Sequence, residues 1–288
     1  MALKKLKQYI RRGLFYIRHG QPIIKAVIKP VTYNNCLKGK TALITGGTSG
    51  IGYRIAEFYL SAGATVIITG RNKEKLEKAN YNLQKTSPSV YAFQLDNCKV
   101  DSFEDVFEKI ANTKGIGMID ILVNNAGVLG GNIKTSTIEE YDNVMNANLR
   151  GCFFLSRIFA RYLIAHNIQG NILNIASSSS LRPADSAYNL SKWGIRGLTL
   201  GLAKSLIPYG ITVNGIAPGP TATPMMGERS GNIAHSTLPL GRYITPEEIA
   251  NMAVVLVSDM GKSIVGDIVY MTGGAGTITF DDAPCTFK

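Results

Sequence analysis

A tyrosine and a lysine stand four residues apart in the stretch SAYNLSKWG, which spans residues 186–194. On a helix, Tyr188 and Lys192 would share one face. A free phenol ionises near pH ~10, and a neighbouring ammonium favours its phenolate form. A phenol in that setting can give a proton to a carbonyl oxygen or take one from an alcohol. The same spacing also occurs in ordinary surface helices, so this pair alone predicts no function.

A glycine-rich turn offers a second chemical feature. Residues 45–52 read TGGTSGIG, between an apolar run and a helical pattern, and among its glycines those at positions 46, 50 and 52 have the G-x-x-x-G-x-G spacing. Such a turn lets the backbone approach a pyrophosphate, and the following helix N-terminus offers free N–H groups and the positive end of its dipole. The spacing differs from the common G-x-G-x-x-G fingerprint. A plain turn between a strand and a helix is therefore the alternative.

The elements that must position these residues follow a regular alternation. Short runs of Val, Ile and Leu without polar alternation are typical of strands that are buried on both faces. Strands are predicted at 41–45, 64–69, 90–95, 119–124, 171–176, 211–216 and 266–271, and helices at 51–62, 72–86, 101–114, 137–166, 187–208 and 246–258. This order predicts an α/β fold, a Rossmann-like, doubly wound, mostly parallel sheet of about seven strands with helices on both faces.

Positive charge is concentrated at the N-terminus. The chain has 288 residues and a formal net charge of +11, and residues 1–40 hold ten Lys or Arg residues and no Asp or Glu. We interpret residues 1–37 as a basic amphipathic arm and residues 38–288 as one domain, whose near-neutral composition excludes a nucleic-acid-binding surface. Residues 1–30 combine an apolar helical stripe with basic faces. They predict peripheral contact with an anionic membrane or, equally, packing on protein.

The cysteines and the apolar runs bear on location and on metal binding. Four cysteines, at positions 36, 98, 152 and 285, form no Cys-x-x-Cys or Cys/His cluster. They predict neither a metal site nor a disulfide framework. No apolar run reaches the ~18 residues of a spanning helix, and arginines interrupt the segment where a signal peptide would be apolar. These features predict a cytoplasmic protein, with membrane association at the inner surface left open by the basic arm.

Several motifs occur in an order that resembles the classical short-chain dehydrogenase/reductase family. They are TGGTSGIG at 45–52, NNAG at 124–127, NAN at 146–148, Ser177, Tyr188-x-x-x-Lys192 and PGPTAT at 218–223. The resemblance covers about residues 38–274. It implies an oxidoreductase that interconverts a carbonyl and a secondary alcohol by hydride transfer to or from a nicotinamide cofactor. A dinucleotide-binding sensor or scaffold without turnover is the alternative, and it predicts a damaged catalytic set.

The resemblance assigns roles to four catalytic residues. Tyr188 would be the general acid/base, and Lys192 would favour its phenolate and bind the nicotinamide ribose hydroxyls. Ser177 would hydrogen-bond the substrate oxygen, and Asn148 would hold a water that relays protons through Lys192. The segment from Ser177 to Tyr188 is two residues shorter than is usual in the family. The serines that follow Ser177, up to residue 180, therefore stay open as alternatives.

The resemblance also implies a cofactor site. Arg71 follows Gly70 at the tip of the second strand, where a carboxylate would favour NAD. A guanidinium suits a 2′-phosphate, so we predict NADP over NAD. Asp96 resembles the acid that contacts adenine, and Thr223 the threonine that meets the carboxamide. The predicted cofactor-binding residues are Gly46, Thr48, Ser49, Gly50, Ile51, Gly52, Arg71, Asp96, Asn97, Asn124, Ala126, Gly127, Tyr188, Lys192, Pro218, Gly219, Thr221 and Thr223.

The substrate and the assembly are less sharply predicted. Residues 224–240 would form a substrate lid, whose apolar content (Met225, Met226, Ile233 and Leu238) allows a partly apolar small molecule. Within the family's range, 3-oxoacyl thioesters, steroids, sugars and small ketones are all candidates. The resemblance further implies a homodimer or homotetramer, assembled through the predicted helices 137–166 and 187–208. The family's usual DGG is TGG here, at 272–274, which leaves the catalytic group untouched.

Overall fold

A parallel β-sheet forms the centre of the molecule. The computed structural model describes residues 35–226 and 232–276. Within these ranges the strands are β1 (Thr41–Ile44), β2 (Thr65–Gly70), β3 (Val90–Gln94), β4 (Ile121–Asn124), β5 (Asn171–Ile175), β6 (Thr212–Pro218) and β7 (Ile268–Met271). Their order in the sheet is β3-β2-β1-β4-β5-β6-β7, and all neighbours pair in parallel. The predicted doubly wound α/β fold is confirmed.

Helices connect the strands and cover both faces of the sheet. They are α1 (Gly50–Ser61), α2 (Lys73–Leu83), α3 (Phe103–Ala111), α4 (Ile138–Met145), α5 (Gly151–Ala165), α6 (Ala187–Leu206) and α7 (Pro246–Val257). Local chemistry marks several of their starts. Thr137 and Thr245 each close a capping box with the glutamate three residues later, and Pro246 occupies the first turn of α7.

The strands are buried because each supplies side chains to two apolar layers. All four residues of β1 are buried, with Ala42 and Ile44 in one layer and Leu43 in the other. This division follows from the alternation of side chains along a strand. The first layer packs β1 against α1 and α7, and the second packs it against α3 and α5. The runs of Val, Ile and Leu in the sequence therefore reflect burial on both faces.

A π turn interrupts the long helix that the sequence predicts over 137–166. Residues Asn146–Arg150 form this turn between α4 and α5. A π turn adds one residue to the helical repeat, so side chains on its two sides change face, and such turns often lie at functional sites. The predicted segment is helical from Ile138 to Ala165, but hydrophobic periodicity does not reveal a single extra residue, so the π turn within it was not predicted. The turn carries Asn148.

The sheet topology places a crevice at one edge. The chain runs from β1 outward to β2 and β3, and then returns to continue on the other side with β4. Ligands of such sheets bind at the carboxyl ends of the strands where this reversal occurs. Both the glycine-rich turn after β1 and the NNAG segment after β4 lie at that point. The fold thus brings together two motifs that are about 80 residues apart in the chain.

The predicted arm lies almost entirely outside the described residues, which begin at Asn35. Residues 1–30, for which the sequence predicts membrane contact, therefore lie outside the described residues. Of the arm's last residues, Leu37 is fully buried, and its N–H donates to the carbonyl of Ala62. In the described ranges, no helix combines the length and the apolar content needed to cross a membrane.

Candidate active site

Hydrogen bonds from the NNAG segment hold the glycine-rich turn in shape. Gly46 and Gly50 have φ of +65° and +57°, a conformation that side chains disfavour. The amide of Asn125 donates to the carbonyls of Thr45 and Gly46 at 3.0 and 3.1 Å. In return, the hydroxyl of Thr45 accepts from the N–H groups of Asn125 and Ala126. The loops after β1 and β4 therefore form one unit, and Asn125 was missing from the predicted site.

A cleft of about 390 Å³ runs along the carboxyl edge of the sheet from this unit. Its size is within the range of small-molecule sites. The predicted residues that line it are Gly46, Thr48, Ser49, Gly50, Ile51, Arg71, Asp96, Asn97, Ala126, Gly127, Ser177, Tyr188, Lys192, Pro218, Gly219, Thr221 and Thr223. The predicted residues that do not line it are Gly52, Asn124 and Asn148. Most of the predicted set therefore surrounds one space.

Tyr188 and Lys192 lie together in this cleft, on the first turns of α6. The ammonium of Lys192 is 5.6 Å from the centre of the Tyr188 ring. Lys192 is only 6% exposed, and its ammonium donates to the carbonyl of Ile175 at 2.9 Å. None of the ion pairs among the described residues involves Lys192. An ammonium has three N–H donors. Lys192 thus brings an unneutralised charge, with donors beyond the one used here, next to the phenol.

The run of four serines after β5 presents one of its members to the cleft. Ser177 lines it, whereas none of residues 178–180 does. Ser177 caps a short 3₁₀ helix (Ser178–Leu181), where its hydroxyl oxygen accepts from the N–H of Ser179 at 3.1 Å. The hydroxyl of Ser180 turns away and donates to the carbonyl of Ser177. Because the Ser177 oxygen acts as an acceptor in this bond, its hydroxyl proton remains available to donate to a ligand in the cleft.

Asn148 lies behind the cleft wall and connects two of its parts. Its side-chain oxygen accepts from the N–H of Val128 at 2.8 Å. Its amide nitrogen donates to the carbonyl of Val128 and to the hydroxyl of Ser191, at 3.0 and 3.1 Å. Ser191 in turn donates to the carbonyl of Tyr188. Both amide N–H donors of Asn148 are used, so a water bound by this side chain would have to donate to its oxygen, which accepts one bond from Val128.

Asn124 belongs to a buried polar network between β4, β5, α5 and α6. Its amide donates to the hydroxyl of Ser156 and to the side-chain oxygen of Asn174, both at 2.9 Å. Asn174 donates in turn to the hydroxyl of Thr199. The thiol of Cys152 lies 3.6 Å from the Asn174 oxygen, and burial raises the pKa of this thiol to about 12. Asn124 therefore supports the site from within the core.

Gly52 also acts through packing. A side chain at this position of α1 would collide with the amide of Asn125 and with the carbonyl of Gly46. Only glycine allows α1 to begin so close to the turn that precedes it. Gly52 thus fixes the approach of the helix to the unit formed by the two loops, although it does not line the cleft.

The loop after β3 closes the far end of the cleft. Asp96 lines it, and one of its carboxylate oxygens accepts from the N–H of Cys98 at 3.0 Å. Cys98, which was not among the predicted residues, also lines the cleft. Its pKa is raised by partial burial and by the charge of Asp96, while the charge of Arg71 acts in the opposite direction. Arg71 and Asp96 both line this cleft, together with Cys98.

Comparison with known proteins identifies the family. The short chain dehydrogenase family model matches residues 40–233. The 3-oxoacyl-(acyl-carrier-protein) reductase FabG of Thermotoga maritima is 35% identical over 244 residues, which is 83% of this chain and 98% of that protein. The chain belongs to the short-chain dehydrogenase/reductase family.

Solved structures give the same result. The 3-ketoacyl-(acyl-carrier-protein) reductase from Brucella melitensis complexed with NADH has a TM-score of 0.75 and 30% identity, covering 83% of this chain and 99% of that one. A variant of actinorhodin polyketide ketoreductase with NADPH has a TM-score of 0.76 and 29% identity, covering 83% and 98%. The protein is therefore an NAD(P)-dependent oxidoreductase that interconverts carbonyl and alcohol groups. The neighbours hold both forms of the cofactor.

In this short-chain dehydrogenase/reductase, the segment after β6 is anchored at both ends. The N–H of Gly219 donates to the carbonyl of Met271, and the N–H of Ala222 to the carbonyl of Ile244. Beside Ile244, the guanidinium of Arg242 makes two hydrogen bonds with Glu248 at the start of α7. Of the predicted lid, 224–240, residues 227–231 lie outside the described ranges. These hydrogen bonds anchor the chain on both sides of the segment that is predicted to form a lid.

Two further residues line the cleft of this enzyme beside Arg71, namely Asn72 and Lys75. The predicted set omitted both, because no family motif includes them and because an Asn and a Lys at a helix start are common. The signal available in the sequence was the spacing of Arg71 and Lys75, which are four residues apart as Tyr188 and Lys192 are.

Proposed function

We propose that this enzyme uses NADP(H) to interconvert a carbonyl and a secondary alcohol, with Tyr188 as its general acid/base. One observation carries the proposal: the unneutralised ammonium of Lys192 lies 5.6 Å from the centre of the Tyr188 ring, inside the cleft. A buried charge without a counter-ion costs free energy, so its position beside a phenol favours a catalytic role over a structural one.

In the direction of reduction, the hydroxyl of Tyr188 donates its proton to the substrate oxygen. The hydroxyl of Ser177 donates a hydrogen bond to the same oxygen and orients the carbonyl. The positive charge of Lys192 stabilises the phenolate that remains on Tyr188 after transfer. The nicotinamide, when bound, supplies the hydride. In the direction of oxidation, the phenolate takes the proton from the alcohol.

Lys192 has a second task at the cofactor. Because Ile175 accepts only one of its three N–H donors, the others can bind the hydroxyls of the nicotinamide ribose. Protons would return to Tyr188 through the ammonium of Lys192 and a water at the π turn. The hydrogen bonds of Asn148 to Val128 and Ser191 keep that turn aligned with α6. Asn148 is thus a positioning residue in this scheme.

The residues of the cleft fit a dinucleotide. At Gly50, a side chain would lie within contact distance of Thr223, in the space between the two walls of the cleft. The glycine therefore leaves room for a phosphate between the start of α1 and the segment after β6. The family alone does not select NADP over NAD, since its members hold both. Arg71 does, because no carboxylate stands at the tip of β2 to bind a ribose hydroxyl.

Apolar residues also line the cleft, among them Val128, Leu129, Ile175, Ala176 and Met225. A carbonyl compound with an apolar part next to the reacting carbon would bury that part here. The names of the relatives make a 3-oxoacyl thioester the first compound to test. Small ketones and steroids are the comparison compounds.

Turnover tests this proposal directly. We expect the protein to consume NADPH with at least one ketone of a broad panel, as followed by the absorbance of the reduced cofactor. Tyr188→Phe should abolish the reaction without preventing cofactor binding. Tyr209→Phe is the matched control, because Tyr209 is exposed at the end of α6, outside the cleft. Cofactor binding without turnover of any ketone would support a sensor or scaffold instead, and a preference for NADH would overturn the NADP assignment.

The exposed faces of the helices near the active site support a homodimer or homotetramer. Phe153 of α5 and Leu190, Trp193 and Leu200 of α6 are each more than 40% exposed. Large apolar side chains on adjacent helices are typical of subunit interfaces. Light scattering after size exclusion should give two or four chains. A monomer at micromolar concentration would contradict this part of the proposal.

We also propose that the basic arm, through residues 1–30, contacts the cytoplasmic surface of an anionic membrane. A chain without residues 1–34 is the right comparison, because Leu37 is buried in the body and has to be kept. The full chain should sediment with anionic vesicles at low salt, whereas the shortened chain should not. Equal sedimentation of the two would remove this idea.

A further inference from the structure

Two cations line the adenosine end of the cleft. Arg71 follows the tip of β2, and Lys75 lies in the first turn of α2. Both side chains are exposed. Thr48 of the glycine-rich turn lines the same cleft, and its methyl group packs so closely on Gly70 that a side chain at position 70 would not fit. The two cations thus line the cleft on either side of the helix start, next to the tip of β2.

Neither cation has a carboxylate partner. The ion pairs found in the described ranges involve neither Arg71 nor Lys75. The residues three and four positions from Lys75 are Arg71, Asn72, Lys78 and Ala79, and none of them is acidic. Asp96 lines the same end, but no ion pair joins it to either cation. Two positive charges that line the same cleft repel each other, so an anion bound between them would be stabilised.

Lys73, on the same turn of α2, provides the contrast. Its ammonium lies 3.9 Å from a carboxylate oxygen of Glu77, one helical turn further on. Lys73 does not line this cleft. Of the exposed lysines in the first turn of α2, Lys73 is therefore paired and does not line the cleft, whereas Lys75 lines the cleft and forms no ion pair in the described ranges.

The direction of Lys75 follows from the geometry of the helix start. Asn72 caps α2, and its side-chain oxygen accepts from the N–H of Lys75 at 2.9 Å. This bond fixes the first turn. Side chains of a helix lean toward its N-terminus, so Lys75 leans back toward Arg71 and the tip of β2.

We propose that Lys75 acts with Arg71 as a second cation for the 2′-phosphate of NADP and contributes to the preference for that cofactor. This inference rests on the proposed function. A phosphate monoester carries a charge of about −1.5 to −2 near pH 7, which two adjacent cations match better than one. NAD has a neutral hydroxyl at the same position. The effect of Lys75 therefore falls on NADP and leaves NAD almost unchanged.

Binding of the two cofactors to the full-length protein tests this. We expect Lys75→Gln to weaken NADPH binding about tenfold, the worth of one charge-assisted hydrogen bond. NADH binding should change less than twofold. Lys73→Gln is the matched control and should leave both affinities unchanged. Lys75→Arg should restore most of the loss, and added salt should weaken NADPH binding less in Lys75→Gln than in the parent protein.

The outcomes separate the two proposals. If the parent protein prefers NADPH and Arg71→Gln removes that preference, but Lys75→Gln behaves like Lys73→Gln, then Lys75 has no role and only this inference fails. If the parent protein prefers NADH, the cofactor assignment fails and this inference with it. Equal losses of NADPH and NADH affinity in Lys75→Gln, with an unchanged melting temperature, would also overturn it, because the 2′-phosphate would not be the group that Lys75 recognises.

Discussion

The lysine beside Tyr188 is buried and hydrogen-bonded, whereas the two cations at the end of the cleft that holds Arg71 are exposed and form no ion pair in the described ranges. Lys192 is 6% exposed and bonded to a backbone carbonyl of β5. Arg71 and Lys75 reach the cleft from the surface, without a carboxylate partner in the described ranges. In the proposed function, the first arrangement would hold atoms in place for proton transfer. The second would select a ligand by its charge, which requires less exact positioning.

This difference has a physical reason. Proton transfer requires hydrogen-bond distances, so its groups gain from being held rigidly in a well-packed region. Attraction between a doubly charged phosphate and two cations changes slowly with distance, so flexible side chains suffice. Substitutions at Tyr188 or Lys192 should therefore lower kcat, whereas substitutions at Arg71 or Lys75 should lower the affinity for the cofactor.

The largest effect is expected from Lys192→Met. Methionine fills a similar volume but removes the charge that stabilises the phenolate, so kcat should fall at least ~1,000-fold, within the range of acid–base catalysis. Steady-state kinetics with NADPH and the best ketone measure this. Lys204→Met, in the exposed last turn of the same helix, should retain full activity. A kcat within tenfold of the parent value would show that the buried end does not work as proposed.

A smaller effect is expected from Glu248→Gln. Arg242, unlike Arg71 and Lys75, forms an ion pair, and its two hydrogen bonds to Glu248 lower the pKa of that carboxyl group. Because the pKa of Glu248 is lowered in the folded state, its carboxylate stabilises the fold at pH values above the usual pKa of a glutamate. This contribution is lost as the pH falls through the pKa of the folded state. We expect Glu248→Gln to lose about 1 kcal/mol at pH 7, since the pair is partly exposed and screened.

Denaturant unfolding at several pH values measures this loss. The difference between the parent protein and Glu248→Gln should begin to shrink as the pH falls below about 4. It should vanish once the pH is also below the lowered pKa of the folded state, where the carboxylate is protonated in both states. The ratio of NADPH to NADH affinity should stay the same, because Arg242 lies outside the cleft. A constant difference between pH 7 and pH 3 would contradict the role assigned to this ion pair.

The smallest effect is expected for the alkylation of Cys98 and Cys152. Their reaction rates compare the burial of two parts of the molecule without any substitution. Burial raises the pKa of Cys152 to about 12, so its reactive thiolate is scarce near pH 8. Cys98 is partly exposed in the cleft wall, and its pKa is raised less. An alkylating reagent should modify Cys98 before Cys152, and NADPH should protect Cys98 alone. Mass spectrometry of peptides resolves the two sites, and equal rates would contradict the difference in burial.

The fold was predictable because its signals are local. Strand burial on both faces appears as unbroken apolar runs, and Thr245 with Pro246 marks the start of α7 directly. The motifs of the site are also local strings, so most of the residues expected to bind the cofactor do line the cleft. The π turn at Asn146–Arg150 was not predicted, because one added residue disturbs the helical repeat less than ordinary sequence variation does.

The sequence by itself determined which residue types stand at the carboxyl ends of the strands and in what order, because a strand, a turn and a helix start are each specified by neighbouring residues. Only the tertiary structure decided that Ser177 rather than its neighbours lines the cleft, that Asn148 and Asn124 turn away from it, and that Lys75 joins Arg71. These choices depend on which side chains meet across elements far apart in the chain. Packing sets those meetings, and no local pattern encodes them.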